Sequence, residues 1–229
     1  MLSAIAIVPS APVMVPELAG AAAAAETADL RAAAVDVAAA LPRRWVAVGA
    51  APVETRCGPD AVGTFAGYGV DVPARLSGTA EGAPAALPLC ALITGWLRGL
   101  AGPQAVAEVR AVAAATPARE ALAAGRALRA ELDRTDDAVG VLIVADGANT
   151  LTAAAPGGHD PDSVPVQAAL DDALAAGRVA DLAGLPDGIV GRVAYQVLAG
   201  LAEPAPRTAE ERYRGAPYGV GYFVGLWTP

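Results

Sequence analysis

Apolar residues fall along this chain in short runs separated by longer alanine-rich segments. Ala4-Ile5-Ala6-Ile7-Val8 is an apolar run closed by Pro9, the length and bounding of a buried strand, and it empties into a proline-punctuated loop through Pro16. Alanine-rich sequence with Leu30, Val35, Val37 and Leu41 predicts a helix over 19–41, closed by Pro42. Trp45-Val46-Ala47-Val48 predicts a second strand. Residues 49–86 are rich in Gly, Pro and small polar residues and read mainly as loop, with Val70-Asp71-Val72 as an edge strand. Such long loops tend to be functional. A helix is predicted over 87–100 and a strand over 105–112. Thr116 and Pro117 read as an N-cap followed by proline at the first helical position, with helix to Asp133.

Val139 to Val144, VGVLIV, is the clearest buried strand, and it runs into Ala145-Asp146-Gly147-Ala148-Asn149-Thr150. Helices over 164–176 and 188–201 follow, and the aromatic and β-branched stretch 218–227 predicts a closing strand. Strands alternating with helices specify an α/β fold, a layered α/β/α arrangement around a mostly parallel or mixed sheet. In such sheets ligands gather outside the carboxyl ends of the strands. That rule directs attention to the loop after the first strand and to the loop after Val144.

Composition narrows the picture. The 229 residues show no fixed repeat and no charged or Ser/Gly-rich linker, so one domain over 1–229 is expected. Hydrophobic residues make up 55% of the chain, but nearly half of them are alanine. The segment 2–25 has no basic start and carries Pro9, Pro12, Pro16 and Glu17, which argues against a signal peptide or membrane span. A cytoplasmic protein with no membrane partner is the expectation. The net charge is -8, lysine is absent and the arginines are scattered, so nucleic acid is not an expected partner. Cys57 and Cys90 are too few for a disulfide framework and lie in no CxxC pattern. They read as reduced, partly buried thiols.

The order of the elements brings a family into view at three places. Ile7-Val8-Pro9-Ser10-Ala11-Pro12-Val13-Met14-Val15-Pro16-Glu17 resembles the "PHPPLLVPE" opening of relatives of the catalytic subunit of class III extradiol ring-cleavage dioxygenases. Val141 to Thr150 resembles that family's strand followed by "SGDLSH", and 216–223 resembles its C-terminal strand. The resemblance implies a non-haem iron cofactor, and it implies that copies associate, as a homodimer. It also shows what this chain lacks. The first metal-binding histidine falls at Ser10, the second near Ala51 or Pro52, and the acid/base histidine at Thr150 with its serine at Asn149. The carboxylate ligand falls among Glu203, Glu210 and Glu211.

A non-haem iron(II) site takes two histidines and one carboxylate. This chain has one histidine, His159, which cannot supply two ligands and also a proton-transfer group. The expectation is therefore a dioxygenase-like protein with no bound metal and no ring cleavage. Its cleft would serve a small-molecule ligand or a partner through Ser10, Asp146, Asn149 and Thr150. The rival is an enzyme of different chemistry, hydrolytic or dependent on a divalent metal, using Asp146, His159 and a C-terminal glutamate.

Each candidate has a plainer reading. His159, in Gly157-Gly158-His159-Asp160-Pro161, reads as an exposed turn residue. Asp146 and Asn149 serve equally as Asx-turn or cap residues. Ser10 and Thr150 fit as small residues tolerated where metal chemistry was lost. No GxSxG elbow makes Ser10 a nucleophile, and Cys57 would need His159 nearby. The glycines of Gly219-Val220-Gly221 and Gly225 lack dinucleotide spacing and read as close packing in a strand. Trp45, Trp96 and Trp227 read as core or interface.

Overall fold

The computed structural model describes all residues, Met1–Pro229. Its strands are β1 (Leu2–Val8), β2 (Arg44–Ala51), β3 (Thr55–Cys57), β4 (Val62–Thr64), β5 (Pro73–Arg75), β6 (Val106–Ala113), β7 (Val139–Val144), β8 (Thr208–Gly215) and β9 (Tyr222–Thr228). Its helices are α1 (Pro16–Glu26), α2 (Ala28–Ala39), α3 (Leu89–Ala101), α4 (Ala118–Leu132), α5 (Ser163–Ala176), α6 (Val179–Ala183) and α7 (Arg192–Ala202). Seven strands form one mixed sheet in the order β3-β6-β2-β7-β1-β9-β8, and β4 and β5 form a separate pair. β6, β2, β7 and β1 run parallel, whereas β3, β9 and β8 pair antiparallel at the flanks.

The sheet is buried on both faces because its central strands are apolar at consecutive positions, as parallel strands covered by helices require. Alternate residues divide between two cores. Ala6, Val8, Ala47, Leu142 and Val144 face the side of α2 and α3. Ile5, Ile7, Val46, Val48, Val141 and Ile143 face the side of α4 and α7. Glycine lets α4 and α7 approach closely: a Cβ on Gly125 would lie 2.1 Å from the Val197 carbonyl oxygen, and one on Gly200 would lie 2.1 Å from that of Leu122.

Several expected boundaries shift for identifiable reasons. The helix predicted over 19–41 begins earlier, at Pro16, and divides into α1 and α2 at Thr27. The Thr27 hydroxyl donates to the Ala23 carbonyl at 2.8 Å, a back-bond that bends helices, and Gly20, at φ +74°, adds a second break. The region 49–86 is less of a loop than expected, since β2 continues to Ala51 and β3, β4 and β5 lie within it. The edge strand expected at 70–72 falls at Pro73–Arg75 instead. Thr116 is not the cap of α4. Pro117 is extended, at ψ 144°, and occupies that position itself. Residues 188–191 do not join α7, because Val190 and Gly191 donate their N–H groups to the carbonyls of Gly147 and Asp146. The closing strand begins at Tyr222 rather than 218, after a turn in which Tyr218 takes a positive φ. β8 was not foreseen.

Candidate functional site

β1, β2 and β7 all end at one edge of the sheet, and the start of the antiparallel β9 meets them there. Gly147 donates its N–H to the Gly221 carbonyl at 2.8 Å, and Gly221 donates to the Ala148 carbonyl at 2.8 Å. Asp146 and Tyr222 therefore flank the same short ladder. Asp146 continues the alternation of Leu142 and Val144 and so faces the α2–α3 side, as Tyr222 does. From the neighbouring strand the Ser10 N–H donates to Asp146 Oδ1 at 2.8 Å. Two residues that sequence reasoning picked out separately, 136 positions apart, are in direct contact.

Asp146 keeps part of its surface in contact with solvent, and its second carboxyl oxygen, which has no protein partner, is not sealed from it. Burial pushes its pKa up to about 7, and the Ser10 N–H pulls the other way. No arginine contributes. Burial raises the Tyr195 and Tyr222 phenols, and the charge of the nearby Asp146 carboxylate raises both further. Their hydrogen bonding differs. Tyr195 Oη donates to the Ala145 carbonyl at 3.0 Å. Tyr222 is 5% exposed, and no hydrogen bond contributes to the state of its hydroxyl.

The loop bearing Asp146 is held from behind by a pair the sequence reading missed. Gln167 Oε1 accepts the Ala148 N–H at 2.8 Å, and Gln167 Nε2 donates to Asp171 Oδ1 at 2.8 Å. The Gln167 side chain passes between two glycines: a Cβ on Gly147 would lie 2.0 Å from its Oε1, and one on Gly221 2.2 Å from its Cδ. Burial pushes Asp171 up to about 6, opposed by the Gln167 hydrogen bond and Arg214. The signal was present as a Gln/Asp pair at i, i+4 on a predicted helix, facing glycines at the two loops.

The other expected residues disperse. The Thr150 hydroxyl shares a hydrogen bond with that of Ser163, at 2.6 Å, at the start of α5. Asn149 packs over Gly157, where a Cβ would lie 2.6 Å from its Oδ1. These two residues order a turn. His159 is exposed, and its backbone bridges Leu151. Glu203 is paired with Arg126, Glu210 with Arg212 and Glu211 with Arg214. Asp146, His159 and a C-terminal glutamate are thus not assembled as a catalytic group.

The residues do not fit a non-haem iron(II) centre. Ser10 follows β1, and β2 ends at Ala51 with Pro52 next, so neither strand end presents an imidazole. No cluster of three or more His, Cys, Asp or Glu side chains is placed to hold a metal ion. Cys57 and Cys90 are both buried and unbridged, with burial raising each thiol's pKa. Trp45 and Trp227 are core residues whose indole N–H groups donate to the carbonyls of Pro42 and Leu174. No helix is long and apolar enough to cross a membrane.

These features define an α/β protein built on a mixed seven-stranded sheet. No family model and no curated protein matches the chain. Among solved structures, the chain is similar to an uncharacterized protein, JW3007, from Escherichia coli K12. The two share 13% sequence identity with a TM-score of 0.60, over 99% of this chain and 100% of that one. At that identity the likeness speaks for the fold.

Proposed function

We propose that this protein is a class III extradiol dioxygenase-like protein that has given up ring cleavage and binds a small hydroxylated ligand at the carboxyl edge of its sheet. The observation that carries the reading is the gathering of Ser10, Asp146 and Tyr222 at this edge, where the Ser10 N–H donates to Asp146 Oδ1 and the Gly147–Gly221 ladder sets Asp146 beside the start of β9. The Tyr222 residue is 5% exposed and its hydroxyl has no protein hydrogen-bond partner, and the Asp146 carboxyl accepts only the Ser10 N–H. Arg31 Nη1 is the one fully buried side-chain polar atom left without a partner, so the Tyr222 hydroxyl and the second Asp146 oxygen both reach solvent and are open to a ligand hydroxyl. The absence of a neighbouring arginine disfavours an anionic ligand. The sequence resemblance supplies the family, and the single histidine of the chain removes the iron chemistry.

The test uses protein purified without a polyhistidine tag. Metal content is measured by elemental analysis, and iron(II) and zinc(II) are titrated by calorimetry. Catechol binding and oxygen uptake are then followed for the wild type and Tyr222→Phe. The reading expects no stoichiometric metal, catechol binding without oxygen consumption, and weaker binding by the variant. Tight metal at one equivalent, oxygen uptake, or an affinity indifferent to Tyr222 would overturn it.

A further inference from the structure

On the opposite face of the sheet, a cavity of about 180 Å³ lies between α4 and the β2–β6–β3 flank. Its floor is apolar, formed by Val48, Val112, Leu128 and Val197, and its rim carries Glu54 and Arg56. β3 pairs antiparallel with β6 so that Arg56 stands directly across from Arg110. Val109 and Ala111 face the α2–α3 core, so Arg110 and Arg56 project to the α4 side.

Two guanidinium groups directly opposite one another repel, and the protein neutralises one of them. Arg110 donates to Glu108 at 2.8 Å and to Glu131 at 2.5 and 2.8 Å. That contact holds Glu131 below the usual carboxylate range. Arg56 is close enough to lower Glu131 a little further, yet it forms no ion pair, and neither does Glu54. The rim therefore presents an uncommitted cation and an uncommitted anion over an apolar floor.

We propose that this cavity binds a small zwitterion, an α-amino acid with a branched apolar side chain. Its carboxylate would lie on Arg56, its ammonium on Glu54 and its side chain over Leu128 and Val197. The guanidinium fork suits a carboxylate. Two residues of extended chain set the rim positions about 7 Å apart at Cα, a gap bridged by a ligand carrying both charges on one carbon. A plain carboxylic acid would leave Glu54 unmatched, and a plain amine would leave Arg56 unmatched. The volume lies below the ~300–1,000 Å³ of pockets for drug-sized ligands, which suits a molecule the size of leucine.

The test is a titration of the full chain, with labelled Leu and Val methyl groups, by L-leucine, leucinamide and 4-methylpentanoate, followed by NMR. It is repeated on Arg56→Gln and Glu54→Gln, whose exposed side chains are not needed for folding, as their reference spectra will verify. Leucine is expected to shift the Leu128 and Val197 methyls saturably. Each analogue and each variant is expected to bind about tenfold or more weakly, the scale of one charged hydrogen bond. No saturable shift at millimolar leucine overturns the site. Equal affinity for leucine and 4-methylpentanoate, or an unchanged affinity in Arg56→Gln, overturns the zwitterion assignment.

Discussion

Replacing Asp146 by asparagine keeps the shape of the side chain at the sheet edge, and keeps an oxygen to accept the Ser10 N–H, while removing a titrating proton. In the folded protein burial moves this carboxyl from an ordinary 3.8 to about 7. Over that interval the native state holds a proton that the unfolded chain has released. A group whose folded pKa is raised contributes stability that is fully present below the unfolded value. That contribution is lost as pH climbs through the folded one. At ~1.36 kcal/mol per pH unit the loss reaches a ceiling of about 4 kcal/mol, short of which solvent contact at Asp146 will hold it. Asp171, pushed up to about 6, loses stability in the same direction, so the informative quantity is the difference between variant and wild type. Urea unfolding of both proteins from about pH 5 to pH 8 measures it. Asp146→Asn should gain on the wild type by up to ~1.4 kcal/mol per pH unit until pH 7, then level off. A difference that does not vary with pH, or a variant that gains as pH falls, would refute the assignment of a proton-holding carboxyl at this position.

Gln167→Leu should orphan the Ala148 N–H and cost about 1–3 kcal/mol, with amide hydrogen exchange quickening at 146–149; unchanged exchange there would remove Gln167 as the support of the loop. Gly125→Ala places a methyl 2.1 Å from the Val197 carbonyl oxygen, so α4 and α7 must part. It should destabilise by about 1–3 kcal/mol or more and lower Tm by about 2–4 °C per kcal/mol in a scanning measurement. His159→Ala should change stability by no more than about 0.5 kcal/mol and leave catechol affinity unaltered; a large effect on either would restore the histidine to the site.

The central strands were legible because burial on both faces writes itself as an uninterrupted apolar run, as in Val139 to Val144. β8 was not, because an edge strand turned to solvent carries the sequence of a surface. Glu210, Glu211, Arg212 and Arg214 are exposed, and their cross-pairing serves β8 while erasing the alternation that would announce it. Topology drew attention to Ser10 and Asp146, which the fold brings into contact, since a loop leaving the carboxyl end of a parallel strand is where side chains from distant segments converge. Asn149 and Thr150 obeyed the same rule and were placed elsewhere: local hydrogen bonding to the following turn captured them, which the type of residue allows and its position does not reveal. Gln167 and Asp171 were passed over because a polar i, i+4 pair ordinarily marks the wet face of a helix. Here the absence of side chains at Gly147 and Gly221 lets that face enter the protein.

The carboxyl groups of the C-terminal region and of the sheet edge show two solutions to one electrostatic problem. Glu203, Glu210 and Glu211 stay in water, and arginines balance them. Asp146 has no arginine within reach, and burial favours its neutral form. A carboxyl drawn partly out of water needs a cation, hydrogen-bond donors or a proton, and at Asp146 the Ser10 N–H is the one protein donor present. An active-site edge that holds a metal ion would need the opposite arrangement, an ionised carboxylate and neutral imidazoles. With its pKa raised to about 7 by burial, Asp146 can both donate and accept a hydrogen bond near neutral pH. If the proposed ligand hydroxyl binds there, catechol affinity should change as pH rises through about 7 in the wild type and stay level in Asp146→Asn, and a titration of both proteins across that range decides it.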